Sequence, residues 1–317
     1  MNRKVKSALK NKKSIRIDWS LLLAILLLIL VILRSDRNSA LMWTYFRQFL
    51  ILAPGILGEM IFLIAGRVDL SVGGTIVLLK QILSYLVLFR NLPVLLSAAL
   101  SFGIAIAIGF AKAACTCSVR SPFEVITYGI GYLFTSLASG MNLWILQNNA
   151  STQNDSVYGV PIYIFTILAV ICICWFLEKT TIGRSIRIFG SDSALSDAMH
   201  MPIRKILITA SLLCSFLFLD YMLCQVSRTG LLTQLDSANL TYNILAGGMI
   251  GTHIFRKYKN VLLGLLVGTL EIILFNAATQ FYGLPNMLIW TCYGVIILIS
   301  VFTTPVLNES IRSRIEQ

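Results

Sequence analysis

Long apolar runs alternate with short polar joints along the whole chain. Ten such runs cover residues 18–33, 48–66, 75–89, 92–114, 123–146, 160–177, 203–226, 237–251, 261–281 and 287–302. A helix that crosses a hydrocarbon core about 30 Å thick needs about 20 mostly apolar residues, and these runs come near that length. The first and third are short, and the eighth is short and rich in glycine, so these three also fit re-entrant segments. Only helices and closed barrels satisfy every backbone group in lipid. The pattern therefore predicts an all-α, polytopic transmembrane bundle of about ten spans, with eight to ten as the range. It reads as one membrane domain over 18–302, between a basic tail at 1–17 and a short tail at 303–317.

Charge gives the bundle a direction. With the basic N-terminus placed inside, Lys112 at the end of span four and Arg120 after it lie inside, and Lys179, Arg184, Arg187, Arg204 and Lys205 follow span six. Arg256, Lys257 and Lys259 follow span eight, and Arg312 and Arg314 follow span ten. The opposite joints carry fewer, Arg34, Arg37, Arg47, Arg90 and Arg228, and 147–159 has none. An even count with both termini cytoplasmic satisfies the positive-inside rule. Seven basic residues between Arg3 and Arg16 precede the first apolar run, as in a secretory signal. Arg34 to Arg37 follow with no small-residue cleavage site, so the run reads as an uncleaved span.

Composition agrees. Of 317 residues, 57% are hydrophobic and 13% charged, whereas soluble domains carry about 25% charged residues. The basic balance, 26 Lys and Arg against 14 Asp and Glu, sits in joints and tails, which argues against nucleic acid as a partner. The seven cysteines include two C-x-C pairs, at Cys115/Cys117 and Cys172/Cys174. With no His or carboxylate at ligand spacing, they read as small hydrophobes and predict no metal. Neither a phosphate-binding loop nor a catalytic constellation occurs, so no cofactor and no enzyme activity are expected.

Polar residues inside apolar runs are the candidates for function. In the second run, Pro54, Gly55 and Gly58 predict a broken helix with Glu59 beside the break. Asp69 and Ser71 are suited to cap the helix that follows. Lys80, Asp220, Gln225, Glu271, Asn276 and Gln280 also lie in apolar runs, and Lys80 and Asp220 could pair. Glu271, Asn276 and Gln280, at spacings of five and four, could share a broad polar face of the ninth span. That face and Glu59 are the candidate pathway for a hydroxyl-rich solute. Each of these residues could instead be interhelical glue. Past Gly190, Ser191 or Asp192 could cap a short helix to about Met199, with Pro202 helping to end it.

The segment Gly66-Arg67-Val68-Asp69-Leu70-Ser71-Val72-Gly73 resembles a known signature. It is glycine-glycine-isoleucine-aspartate-leucine-serine-valine-glycine, found in the bacterial monosaccharide permeases of ATP-binding-cassette importers (ribose, xylose, galactose and autoinducer-2). Thr181, Gly183, Arg184, Gly190, Asp192 and Ala194 resemble that family's cytoplasmic loop, and Gly247, Gly248 and Gly251 its glycine element. Arg67, Asp192 and His200 depart from the pattern, and Thr252 to Lys259 replace a glycine-rich turn. The resemblance implies a multi-pass permease of the bacterial cytoplasmic (inner) membrane. It also implies that 178–205 holds a coupling helix on an ATPase subunit, with Gly183, Arg184, Gly190, Asp192 and Ala194 in that role. The further partners it implies are an external solute-binding protein and a second permease chain, identical or homologous. Three readings stand beside this one: an ion-driven secondary transporter using Glu59, an intramembrane enzyme, and a non-transporting membrane partner.

Overall fold

The computed structural model describes residues 23, 26–27, 39–118, 122–148, 160–191 and 202–303. Among these residues the regular structure is entirely helical. The helices are α1 (Ser39–Ile64), α2 (Val72–Leu88), α3 (Val94–Ser118), α4 (Phe123–Asn148), α5 (Val160–Lys179), α6 (Thr181–Ser191), α7 (Ile203–Thr229), α8 (Ser237–Tyr258), α9 (Val261–Phe281) and α10 (Asn286–Thr303). Nine of the ten predicted runs correspond to α1–α5 and α7–α10. Of the first run only Leu23, Leu26 and Leu27 are described; all three are helical, and Leu27 is buried. Five helices are long and apolar enough to cross a membrane, namely α1, α3, α5, α7 and α9, while α2 and α10 are shorter and apolar.

The joints gather at two ends. At one end Gly190 lies against the last turn of α1, and the Glu178 carboxylate accepts the Val261 N–H at 2.8 Å. At the other, the Phe89 ring packs 4.3 Å from Trp144, and Leu231 O accepts the Ser84 hydroxyl at 2.9 Å. This grouping matches the alternation that the basic joints required.

The core is built around α1. Ile56, Leu57, Met60, Ile61 and Phe62 are fully buried, with α7, α8 and α9 packed on them. Outward-facing residues such as Leu95, Leu133, Leu168 and Leu298 are apolar and exposed, as a lipid-facing surface requires.

Three expectations change. First, α1 runs unbroken through Pro54. Gly55 and Gly58 serve packing instead, since a side chain there would meet the rings of Tyr221 and Phe218. The Cys214 thiol also donates to the Gly58 carbonyl at 3.0 Å. Second, α8 continues past Gly251 to Tyr258 and ends on Lys259, in the left-handed region at φ 58°. Third, Thr181–Ser191 is a helix that includes Gly190, whereas the sequence predicted a helix only past Gly190. Gly183, Ile186 and Gly190 form its buried stripe, while Arg184 is exposed. The helix expected from Ser191 to about Met199 lies largely outside the described residues.

α8 and α9 cross at close range. A Cβ on Gly264 would lie 2.4 Å from Gly251 O, and one on Gly268 would lie 2.4 Å from Gly247 O. Two Gly-x-x-x-Gly faces thus meet backbone to backbone, gaining van der Waals contact where lipid offers no hydrophobic drive. We expect Gly268→Leu to lower stability by about 1–3 kcal/mol or more, through overpacking. Gly103→Ala, at a position with nothing within 4 Å, should stay within about 0.5 kcal/mol of the parent. Denaturant unfolding in detergent micelles, followed by tryptophan fluorescence, checks both.

Candidate functional site

The third membrane crossing is composite. α1 ends in a Schellman cap: Gly66 N–H donates to Leu63 O at 3.1 Å, and Arg67 N–H to Phe62 O at 2.9 Å. Gly66 sits at φ 72°, a conformation that costs glycine little. The chain then turns back along α1 in non-helical form. Asp69 N–H reaches Glu59 Oε1 at 3.1 Å, about 7.5 Å back from the end of α1 at 1.5 Å per residue. α2 therefore starts inside the bundle, with Gly74 packed on Gly131, well into α4.

Backbone that is not helical at this depth must be satisfied by protein. Glu59 takes the Asp69 N–H. Thr127 Oγ1 of α4 accepts the Leu70 N–H at 3.2 Å. Asp69 Oδ1 accepts both the Ser71 N–H at 2.9 Å and the Ser71 hydroxyl at 2.6 Å. Gly73 N–H donates to Thr241 Oγ1 of α8 at 3.1 Å. Ser71 is the N-cap residue of α2 but makes no side-chain cap. Its hydroxyl is committed to Asp69, which replaces the capping role read from the sequence.

The other oxygen of Asp69 binds the ammonium of Lys112 on α3. This is the one ion pair among the described residues, with side chains 0% and 2% exposed. The ammonium also lies 5.7 Å from the Phe62 ring centroid and 5.5 Å from that of Phe218. Rings so placed attract a cation. Lys112 is thus a core residue and not one of the joint charges. The sequence did carry a signal: Lys112 continues a small-residue stripe of Ser97, Ser101, Ala105 and Gly109 along the buried face of α3. Glu59 is fully buried beside the pair, and its Oε2 makes no hydrogen bond.

A second polar cluster joins α8, α9 and α10. Asn276 Nδ2 donates to Asn243 Oδ1 at 2.9 Å. The Tyr293 hydroxyl lies 2.6 Å from both Asn243 Oδ1 and Asn276 Oδ1, and its single proton goes to one of them. Asn243 Nδ2 donates to Asn239 Oδ1 at 2.6 Å. Asn239 is exposed and Tyr293 is buried, so the cluster runs from the surface inward. Asn243 and Tyr293 were not singled out in the sequence, because their shared partner Asn276 lies on another helix, 33 and 17 residues away.

Glu271, Asn276 and Gln280 do not form one face. Glu271 is buried with neither oxygen hydrogen-bonded, Asn276 is in the cluster, and Gln280 is exposed. Lys80 and Asp220 are not paired: Asp220 accepts from Thr166 at 2.9 Å, and Lys80 Nζ has no partner. Of the predicted coupling residues, Gly183 and Gly190 are buried in α6 and Arg184 is exposed, while Asp192 and Ala194 lie outside the described residues.

The profile of the family described as "Branched-chain amino acid transport system / permease component" matches residues 41–301. The chain belongs to that family. It is therefore a multi-pass permease component, for which an ATP-binding-cassette ATPase and a solute-binding protein are the general partners. It is 26% identical over 265 residues to a probable ABC transporter permease, y4mJ, of Sinorhizobium fredii (strain NBRC 101917 / NGR234), covering 77% of this chain and 75% of that one. It is 24% identical over 310 residues to the autoinducer 2 import system permease LsrD of Photorhabdus luminescens, covering 90% and 91%. No solved structure matches the chain significantly. Membership in a family of transport-system permeases sets aside the enzyme reading and removes the basis of the ion-driven one.

The buried pair of this permease has a measurable signature. Lys112→Met leaves a buried carboxylate unpaired, and we expect a loss of about 3–5 kcal/mol. The double variant Lys112→Met/Asp69→Asn should regain much of that, since removing both charges of a buried pair is often near neutral. A double-mutant cycle by denaturant unfolding in detergent measures the coupling.

Proposed function

We propose that this permease imports a small, neutral, hydroxyl-rich solute, a monosaccharide or a sugar-like molecule. The observation that carries the reading is the chemistry of the Asn239–Asn243–Asn276–Tyr293 cluster. Amides and a phenol offer donors and acceptors side by side, which suits vicinal hydroxyls. An amino acid would also require counter-charges for its ammonium and carboxylate, and this cluster has none. The likeness to an autoinducer 2 permease supports the same solute class. Glu271 and Gln280, on the same helix as Asn276 but not on one face with it, remain separate pathway candidates, while Glu59 serves the signature loop. In this reading the signature loop, with Gly66, Asp69, Leu70, Ser71 and Gly73, shapes the bundle around the pathway and does not touch the solute.

The permease works beside a second permease chain, identical or homologous, with both termini in the cytoplasm. An external binding protein delivers the solute to the outer face. On the cytoplasmic side, α6 and the residues after it seat the ATPase, with Arg184 as the exposed charge and Gly183 and Gly190 fixing the helix. Asp192 and Ala194, outside the described residues, are assigned to the same role by the family resemblance. Anionic lipid contacts the basic joints.

Two measurements test this. The tagged chain, extracted from native membranes, should bring down an ATPase in stoichiometric amount, identified by mass spectrometry. Deleting residues 190–201 should abolish that recovery while membrane insertion persists; retained ATPase would sink the coupling role. The complex in proteoliposomes, with its binding protein, should take up labelled ribose, xylose, galactose or autoinducer-2 in preference to leucine. Asn276→Leu should cut that uptake at least about tenfold, as expected when hydrogen bonds to a polar substrate are left unmade. Preference for leucine would overturn the solute assignment.

A further inference from the structure

α6 and the signature loop touch backbone to backbone. A Cβ on Gly190 would fall 1.9 Å from Ile64 O, 2.5 Å from Ala65 C and 2.6 Å from Gly66 N. A Cβ on Gly66 would in turn meet Gly190 Cα at 3.2 Å. No side chain cushions this contact, so displacement of one backbone displaces the other. α6 is also held at its start: Thr180 Oγ1 accepts the Gly183 N–H at 3.1 Å, and a Cβ on Gly183 would meet Leu177 O at 2.5 Å. Arg187 Nη2 further donates to Glu178 O at 3.1 Å. The helix is therefore rigidly joined to α5 at one end and abuts α1 at the other.

From Gly66 the chain enters the non-helical stretch that leads to α2. Each anchor of that stretch comes from a different helix: Glu59 from α1, Lys112 from α3 and Thr127 from α4. A non-helical stretch without such anchors would absorb a push by bending. With them, a push at Gly66 passes to the start of α2 and to α3 and α4.

We propose that residues 66–71 are a strut carrying motion from α6 into the membrane bundle, with Lys112 as the positioning residue that keeps the strut stiff. The inference rests on the reading that α6 seats an ATPase. It goes further in assigning the route within this chain and a role to a lysine that touches neither solute nor nucleotide.

Hydrogen exchange with mass spectrometry, on the complex extracted with its own ATPase, tests it. In the parent protein, exchange over residues 66–71 should change about fivefold or more between the nucleotide-free complex and the complex trapped with Mg-ATP and vanadate; a change of one hydrogen bond is worth about that factor. Lys112→Met should abolish the change with ATPase recovery undiminished, and Lys112→Arg should keep it. If Lys112→Met loses protection throughout the bundle, Thr127→Val decides, since it removes one anchor without leaving a charge; it should shrink the nucleotide response. Identical exchange in both states of the parent, or a full response in Lys112→Met or Thr127→Val, overturns the strut while leaving the importer reading in place. Absence of any ATPase from the extracted complex overturns both.

Discussion

Backbone that leaves the helix inside a membrane bundle has to find its hydrogen bonds within the protein, because lipid supplies none. Between α1 and α2 the chain does this through two acidic side chains and a threonine, from Glu59, Asp69 and Thr127. Carboxylates are strong acceptors for backbone amides, but burying them carries a desolvation cost. Lys112 offsets that cost for Asp69, and the rings of Phe62 and Phe218 enclose its ammonium. Where α2 begins and where the signature loop lies both depend on this pair.

The same region shows how glycine is used. Gly66 closes the α1 cap at positive φ, and Gly190 lets α6 lie directly on it. The α8–α9 crossing repeats that economy with two facing glycine pairs. In a bundle without a hydrophobic drive between helices, close backbone approach is a main source of packing energy. The bundle is thus rigid around α1, while its uncharged polar cluster lies on α8, α9 and α10, reaching the surface at Asn239. A stiff region around the Asp69–Lys112 pair and a separate neutral cluster suit a permease whose motion is imposed from outside the membrane domain.

The hydropathy pattern by itself determined the helical class, the positions of nine described helices and the pairing of joints at two ends. Hydropathy and joint charge are summed over whole segments, so the error at any one residue hardly matters. The signature loop was legible because Asp69 and Ser71 stand together between apolar runs. Tertiary structure decided what the sequence left open at single residues. Lys112 turned from a joint charge into the partner of Asp69, the expected break at Pro54 became packing space for Phe218 and Tyr221, and Glu271 and Gln280 parted from Asn276. Each of these outcomes depends on which helix lies opposite. A one-dimensional pattern records that a polar residue sits in an apolar run, but its partner is fixed only when residues distant in the chain come within hydrogen-bond reach.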